Sequence, residues 1–451
     1  MKWIFLAFLI VMTPALTALL HSKPQYRVHT CFVLGASLYI GTAIFTIAPI
    51  SWRMWPDPVK GIEVTLMDAL AVALLLSSKP VRIPSTVWLS FVFYCLALLV
   101  ATLAGAQVLP AIFYVWQVLR AAVVFLAIAR VCASEPKAYV ALLYGLGIGL
   151  IHEAPLVMMQ FAHGVDRPGG TFGHSNFLGL TADFVLFPML ALMMGTRRLL
   201  LPGATLLAGF ITALLGGSRA TLAIFGLGTV LTVILSIRHK GTSRKMAFAG
   251  AAAVLLLISA PVMIWANSRR TEVDKLSSNL ERSEMKQAAR MIIADYPFGV
   301  GPNQYVIIAN VGGYADRAGL PWDKDNRQAP VHDIYYLVTA EMGILGLLSF
   351  LSVFASLIVL GFRLLRRHLP GENGELVPGL LATLIIVVVH NNFEFVFQES
   401  ETHYLLAIVS GMLVAIYAKS NVSAKQAMQM RIPAPALSNT SLSTGRDTAM
   451  L

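Results

Sequence analysis

The chain has 451 residues, 57% of them hydrophobic and 13% charged. A soluble chain averages about 25% charged residues, so a soluble two- or three-domain protein is excluded. The long continuous apolar runs, with no period-2 stretches of about ten residues, exclude an outer-membrane β-barrel. A net charge of +11 does not point to nucleic acid, because in a membrane chain the placement of basic residues carries the information and their sum does not.

Apolar runs fall near 3–20, 28–50, 62–78, 86–106, 110–132, 138–162, 177–195, 199–216, 220–237, 246–266, 334–361, 376–398 and 402–418. The first has the outline of a signal peptide. Another run follows at once and no cleavage site precedes a soluble domain, so it reads as a retained span. Cys31, Cys95 and Cys132 all lie in apolar runs, which excludes a disulfide scaffold outside. The expected fold is therefore all-α, a polytopic integral membrane protein of 12–13 transmembrane helices. Thirteen spans put the N-terminus outside, which Lys2 opposes.

Basic residues alternate in density along the short linkers. One set holds Lys23, Arg27, Lys79, Arg82, Arg130, Lys137, Arg197, Arg198, Arg238, Lys240, Arg244, Lys245, Arg363, Arg366 and Arg367. The other holds only Arg53, Lys60, Arg167 and Arg219. The positive-inside rule assigns the rich set to the cytoplasm. The chain then divides into N-terminal spans (1–266), one long external segment (267–333), C-terminal spans (334–418) and a Ser/Ala/Thr/Pro-rich cytoplasmic tail (419–451) expected to be disordered. The external segment has nine basic and nine acidic residues. An insertion of this length is more often functional than a mere connector.

Within it, Thr271 to Tyr296 reads as a helix stopped by Pro297, with Leu276, Leu280, Met285, Ala288, Ile292 and Tyr296 on its apolar face. Arg282, Lys286 and Arg290 recur every four residues as a cationic stripe. A turn-rich stretch follows, Pro297-Phe298-Gly299-Val300-Gly301-Pro302-Asn303. After a polar loop (310–330) come Val331-His332-Asp333-Ile334-Tyr335-Tyr336 and the re-entry through Ala340-Glu341-Met342-Gly343-Ile344-Leu345-Gly346. Asp323-Lys324-Asp325 has the form of a metal-binding DxD, but it lies in an external loop away from cytosolic sugar nucleotides and is rejected. No phosphate loop and no clustered metal ligands are visible, so neither metal nor cofactor is expected.

These pieces, together with Gly170-Thr171-Phe172-Gly173-His174-Ser175-Asn176 and Gly217-Ser218-Arg219-Ala220-Thr221, resemble the O-antigen ligase and Wzy polymerase superfamily over roughly residues 165–360. Asp333 departs from the pattern, since the family often has Asn after the histidine. The resemblance implies a metal-independent glycosyltransferase of C-type architecture at the periplasmic face of the bacterial inner membrane. Its donor would be a glycan on undecaprenyl diphosphate and its acceptor a sugar hydroxyl, on lipid A–core in a ligase or on another lipid-linked repeat in a polymerase. The family's functional positions fall on Arg219, Arg282 and His332.

The chemistry agrees with that assignment. An acceptor hydroxyl must lose a proton and the leaving diphosphate must have its charge stabilised. Histidine suits the first task and arginine the second. Position alone makes His332 an ordinary interfacial histidine and Arg219 a snorkelling arginine; the motif context makes them catalytic and diphosphate-binding, with Arg282. Lys286, Arg290, Asp333, His174 and Asn176 are secondary candidates. Arg120, His152, Glu153, Asp183, His390 and Glu394 fall inside apolar runs, where each is costly unless paired or wet; inter-span pairing and a hydrated cavity both fit. A lipid-linked glycan transporter is the competing class, but it would favour internal repeats, and none is seen.

Overall fold

The computed structural model describes residues 2–40, 46–268, 272–322 and 327–430. The helices are α1 (Lys2–Ser22), α2 (Tyr26–Ile40), α3 (Leu66–Ser77), α4 (Ser85–Ala104), α5 (Val108–Ser134), α6 (Ala138–Ala162), α7 (Ser175–Gly195), α8 (Leu200–Leu215), α9 (Arg219–His239), α10 (Ser243–Ser268), α11 (Glu272–Asp295), α12 (Tyr305–Val311), α13 (Tyr314–Arg317), α14 (Ile334–Leu365), α15 (Gly371–His390) and α16 (Ser400–Met430). Among the described residues nine are long and apolar enough to cross a bilayer, and Leu66–Ser77 and Leu200–Leu215 are apolar but shorter. The protein is an all-α, multi-pass membrane protein.

Three of the expected spans end differently from the sequence reading. The runs at 28–50 and 62–78 are interrupted by an antiparallel hairpin of β1 (Thr46–Ser51) and β2 (Gly61–Thr65), with Thr46 opposite Thr65 and Ile50 opposite Ile62. Thr46, Ile47, Ile50, Ile62, Val64 and Thr65 are β-branched, and Pro49 cannot donate inside a helix. Thr65 then starts α3 through a reciprocal capping box with Asp68. The run at 376–398 ends as helix at His390, and residues 391–399 form a loop with one 3₁₀ turn, Val396–Gln398. At the other end α16 continues through Ala- and Gln-rich sequence, good helix formers, to Met430. The first part of the expected tail is therefore helical, and residues 431–451 lie outside the described residues.

α7 is the central helix, buried along nearly its whole length against α15, α8 and α9. In lipid, helix association depends on close packing rather than on the hydrophobic effect. Gly35 and Gly145 provide it where α2 crosses α6: a Cβ at either would collide with the backbone carbonyl of Leu142 or Phe32.

The basic-poor linkers gather on one face. The 52–60 loop bonds to Asn303, where Trp55 Nε1 donates to the Asn303 carbonyl at 2.8 Å. Gly216 lies close to Ser175 and the Pro168 carbonyl, and Arg167 bonds to Asn176 at 3.0 Å. On the opposite face the basic-rich linkers pair with carboxylates, Arg198 with Glu372 at 2.8 Å and Lys245 with Glu375 at 2.5 Å.

The segment between α10 and α14 is locked into the helical bundle through a break in α14. Gly343 has φ +66° inside that helix, a conformation glycine adopts without strain. Two carbonyls before the break are then filled from outside: Val300 N–H donates to the Ala340 carbonyl and Gly301 N–H to the Glu341 carbonyl, both at 2.9 Å. Gly299, at φ +86°, lies where a Cβ would strike the Glu341 carbonyl. The buried Glu341 side chain accepts from Gln304 N–H at 3.1 Å, Tyr305 N–H at 3.2 Å and Gln398 Nε2 at 2.6 Å. The turn-rich stretch and the Gly343 stretch are thus two halves of one joint, and α11 projects from it.

Candidate functional site

α11 spans nearly the expected range and buries Met285, Ala288, Ala289 and Ile292. Its apolar face is narrower than the sequence suggested, since Leu280 and Tyr296 are exposed and the Leu276 side chain lies outside the described residues. Its cationic stripe turns toward the start of α14. Lys286 Nζ pairs with Asp333 at 2.8 Å, and Arg290 donates to Tyr336 Oη at 3.0 Å. Both cations also stand 5.5 Å from the centre of the Tyr336 ring. Asp333 is the N-cap of α14, accepting from Tyr335 N–H at 3.1 Å and Tyr336 N–H at 3.4 Å, which satisfies amides a helix start leaves without partners. Lys286, Arg290 and Asp333 therefore clamp α11 to α14.

Arg282, one turn earlier, meets a different partner. Its guanidinium lies 3.6 Å from Glu394 Oε1, and His332 Nδ1 lies 3.4 Å from Glu394 Oε2. Asn176 donates to the same carboxylate, and its own Oδ1 accepts from Arg167 at 3.0 Å. The Glu394 carboxylate is 1% exposed, whereas Arg282 is 34% and His332 19% exposed. A buried anion thus sits beneath an open mouth lined by cationic and titratable groups. Burial pushes the Glu394 carboxyl up. The hydrogen bond and charge of His332, with the charges of His174 and Arg282, outweigh this and hold it below its ordinary value. His174 precedes α7 at the same mouth. Burial lowers its pKa; Glu394 opposes this, while Arg167, His332 and Arg282 add to it, and the net shift is downward. Phe395 packs edge-on to the His332 ring, with centroids 5.1 Å apart.

Arg219 begins α9 and is exposed. The turn before it packs on the loop that carries Arg167 and His174: Gly216 lies against Ser175, and Gly217 against the Asp166 carbonyl. Of the residues singled out from sequence, the structure brings Arg282, His332 and Asn176 together on one carboxylate. His174 stands within electrostatic reach, and Lys286, Asp333 and Arg290 form the adjoining clamp. Asp323-Lys324-Asp325 lies outside the described residues.

Glu394 was legible only as a costly charge in an apolar run. Its place at the centre depends on α15 ending at His390, four residues before it. The other ionisable residues of that group are paired: His390 with Asp183 at 2.7 Å, Arg120 with Asp68 at 3.0 Å and Glu63 at 3.2 Å, and Glu153 with Thr171 through N–H and Oγ1 at 2.8 and 2.6 Å and with His152 Nδ1 at 3.7 Å.

Chemically, the His332 imidazole has one nitrogen, Nδ1, turned to a carboxylate. That arrangement favours a proton on Nδ1 and leaves Nε2 as an acceptor. The nearby guanidinium group matches phosphate oxygens.

Residues 204–351 match the family Wzy_C, described as O-Antigen ligase. The chain is also 27% identical over 183 residues to the teichuronic acid biosynthesis protein TuaE of Bacillus subtilis (strain 168), covering 38% of this chain and 36% of that protein. The alignment thus spans little more than a third of that relative's length. The matched stretch includes Arg219, Arg282, His332 and the joint at Gly343, while Asn176 and Glu394 fall outside it. Over residues 204–351 the chain is similar to the O-antigen ligase family that its motifs resemble.

Proposed function

We propose that this protein transfers a glycan from undecaprenyl diphosphate to a sugar hydroxyl at the periplasmic face of the inner membrane, as a ligase acting on lipid A–core. The observation that carries the reading is the convergence of Arg282 and His332 on the buried Glu394. His332 Nε2 takes the hydroxyl proton as the acceptor oxygen bonds to the anomeric carbon. The bond from that carbon to the diphosphate oxygen breaks, and its electron pair leaves with undecaprenyl diphosphate. Arg282, together with Arg219, stabilises the charge that develops there. Glu394 holds the Nδ1 proton and balances the imidazolium. Positive charge comes from the guanidinium groups of Arg282 and Arg219.

The match to a teichuronic acid biosynthesis protein favours a second reading, a polymerase joining lipid-linked repeats. The same donor chemistry serves both. A glycolipid profile of a deletion strain separates them. A ligase strain loses polymer on lipid A–core and accumulates lipid-linked polymer. A polymerase strain keeps single repeats and loses chain length. An unchanged profile refutes both.

A further inference from the structure

We propose that the pocket between the 52–60 hairpin loop, residues 328–330 and the Phe395–Glu399 stretch is the acceptor site, and that it takes an uncharged terminal sugar of the acceptor glycan. This inference rests on the transferase reading above and names where its second substrate sits. The pocket is an open cleft with a cavity volume of about 370 Å³, at the lower end of the range of about 300–1,000 Å³ usual for small-molecule sites. It adjoins the base. Phe395 lines the pocket and stands 5.1 Å from the His332 ring, and the lining residue Pro330 precedes His332 by two positions. A sugar stacked on Phe395 would therefore bring a hydroxyl to the edge of the imidazole.

The lining selects hydroxyls over phosphate. Its charged members are one cation, Lys60, and one carboxyl, Glu399, and Gln328 adds an amide. Among the described residues no arginine lines it, in contrast to the mouth at Arg282. Burial and the neighbouring Glu401 and Glu63 push the Glu399 carboxyl up to about 8, against the opposing charge of Lys60. At neutral pH it is then largely protonated, able both to donate to and to accept from sugar hydroxyls. The apolar wall of Phe395 and prolines suits the C–H face of a pyranose.

The walls are preformed. Asn303 Nδ2 donates to the Val59 carbonyl at 2.7 Å, its Oδ1 accepts from Val59 N–H at 3.1 Å, and the Asp57 carboxylate accepts from Val306 N–H at 2.8 Å. The motif that fixes α11 above the membrane thus also fixes this pocket, through its own asparagine.

The test uses the full chain in nanodiscs with two probes: undecaprenyl diphosphate for the donor side, and the glycolipid fraction of a strain deleted for this gene for the acceptor side. Glu399→Ala and Gln328→Ala should each raise the acceptor KM about tenfold or more, as loss of one or two sugar hydrogen bonds predicts. Both should leave undecaprenyl diphosphate affinity unchanged, whereas Arg282→Ala should weaken it. Gln328 is exposed, so its variant is expected to fold. An unchanged acceptor KM in both pocket variants, or a loss of undecaprenyl diphosphate binding in Glu399→Ala, overturns the pocket assignment while leaving the transferase standing. No transfer by the wild type, with Arg282→Ala binding undecaprenyl diphosphate normally, sinks both.

Discussion

Replacing Glu394 with Gln removes one charge at nearly constant shape, at a carboxylate 1% exposed and 3.4 Å from His332 Nδ1. At an effective dielectric of about 20, a unit charge at that distance stabilises an imidazolium by on the order of 5 kcal/mol before competition. Arg282 shares the same carboxylate at 3.6 Å and is one-third exposed, so solvent and sharing reduce this to about 2.7 kcal/mol, roughly a hundredfold in the chemical step. The assay is single-turnover transfer of lipid-linked glycan by purified protein, with donor KM measured alongside. Glu394→Gln should lose kcat about a hundredfold and keep or lower the donor KM, because Arg282 is released from its anion. Glu394→Asp, which restores the charge but is one methylene shorter, should recover part of the rate. A Glu394→Gln enzyme with wild-type kcat would refute the argument that this carboxylate positions and balances His332.

Three further outcomes follow from the same geometry. Arg282→Ala should cost on the order of 2–5 kcal/mol of donor interaction, and Lys should rescue only part, since a point charge cannot replace the guanidinium fork; full rescue by Lys would argue against bidentate contact with diphosphate. Gly343→Ala forces φ +66° on a residue with a Cβ and drives that Cβ into Pro297 and Phe298; strain alone costs about 1–3 kcal/mol, so the thermal midpoint in detergent should fall, while Gly250→Ala, with open space around it, should not lower it. Because the folded-state pKa of Glu394 is depressed, its charge stabilises the fold above the unfolded carboxylate pKa of about 4.3 and loses that effect as pH falls through the folded value. The midpoint difference between wild type and Glu394→Gln should therefore be full above about pH 5 and shrink in more acidic solution; a difference constant down to pH 3 would contradict this.

Periodicity and charge asymmetry made the membrane architecture legible, because an apolar run of about 20 residues has few alternatives. The hairpin at 46–65 was hidden: Thr46–Ile50 continues an apolar run, and β-branched residues read equally as span or strand. Arg282 and His332 were found through the resemblance to the family's motifs, and their meeting depends on the joint at Gly299–Gly301 and Gly343, whose glycines were visible but whose pairing was not. Glu394 carried only the signal of an uncomfortable charge. Its role requires knowing that helix α15 stops at His390 and that Asn176, more than two hundred residues earlier, closes on the same carboxylate. Lys286 and Arg290 share the stripe with Arg282 and ranked behind it as secondary candidates. A turn of about 40° every four residues and the position of Tyr336 separate clamp from site.

The central claim is that His332 is the base for glycan transfer. Its most direct test is single-turnover transfer by His332→Ala, with undecaprenyl diphosphate affinity measured on the same preparation. The account predicts a rate lower by about 10²–10⁴-fold, as for loss of an acid–base group, with donor affinity retained; transfer at the wild-type rate by that variant would contradict it.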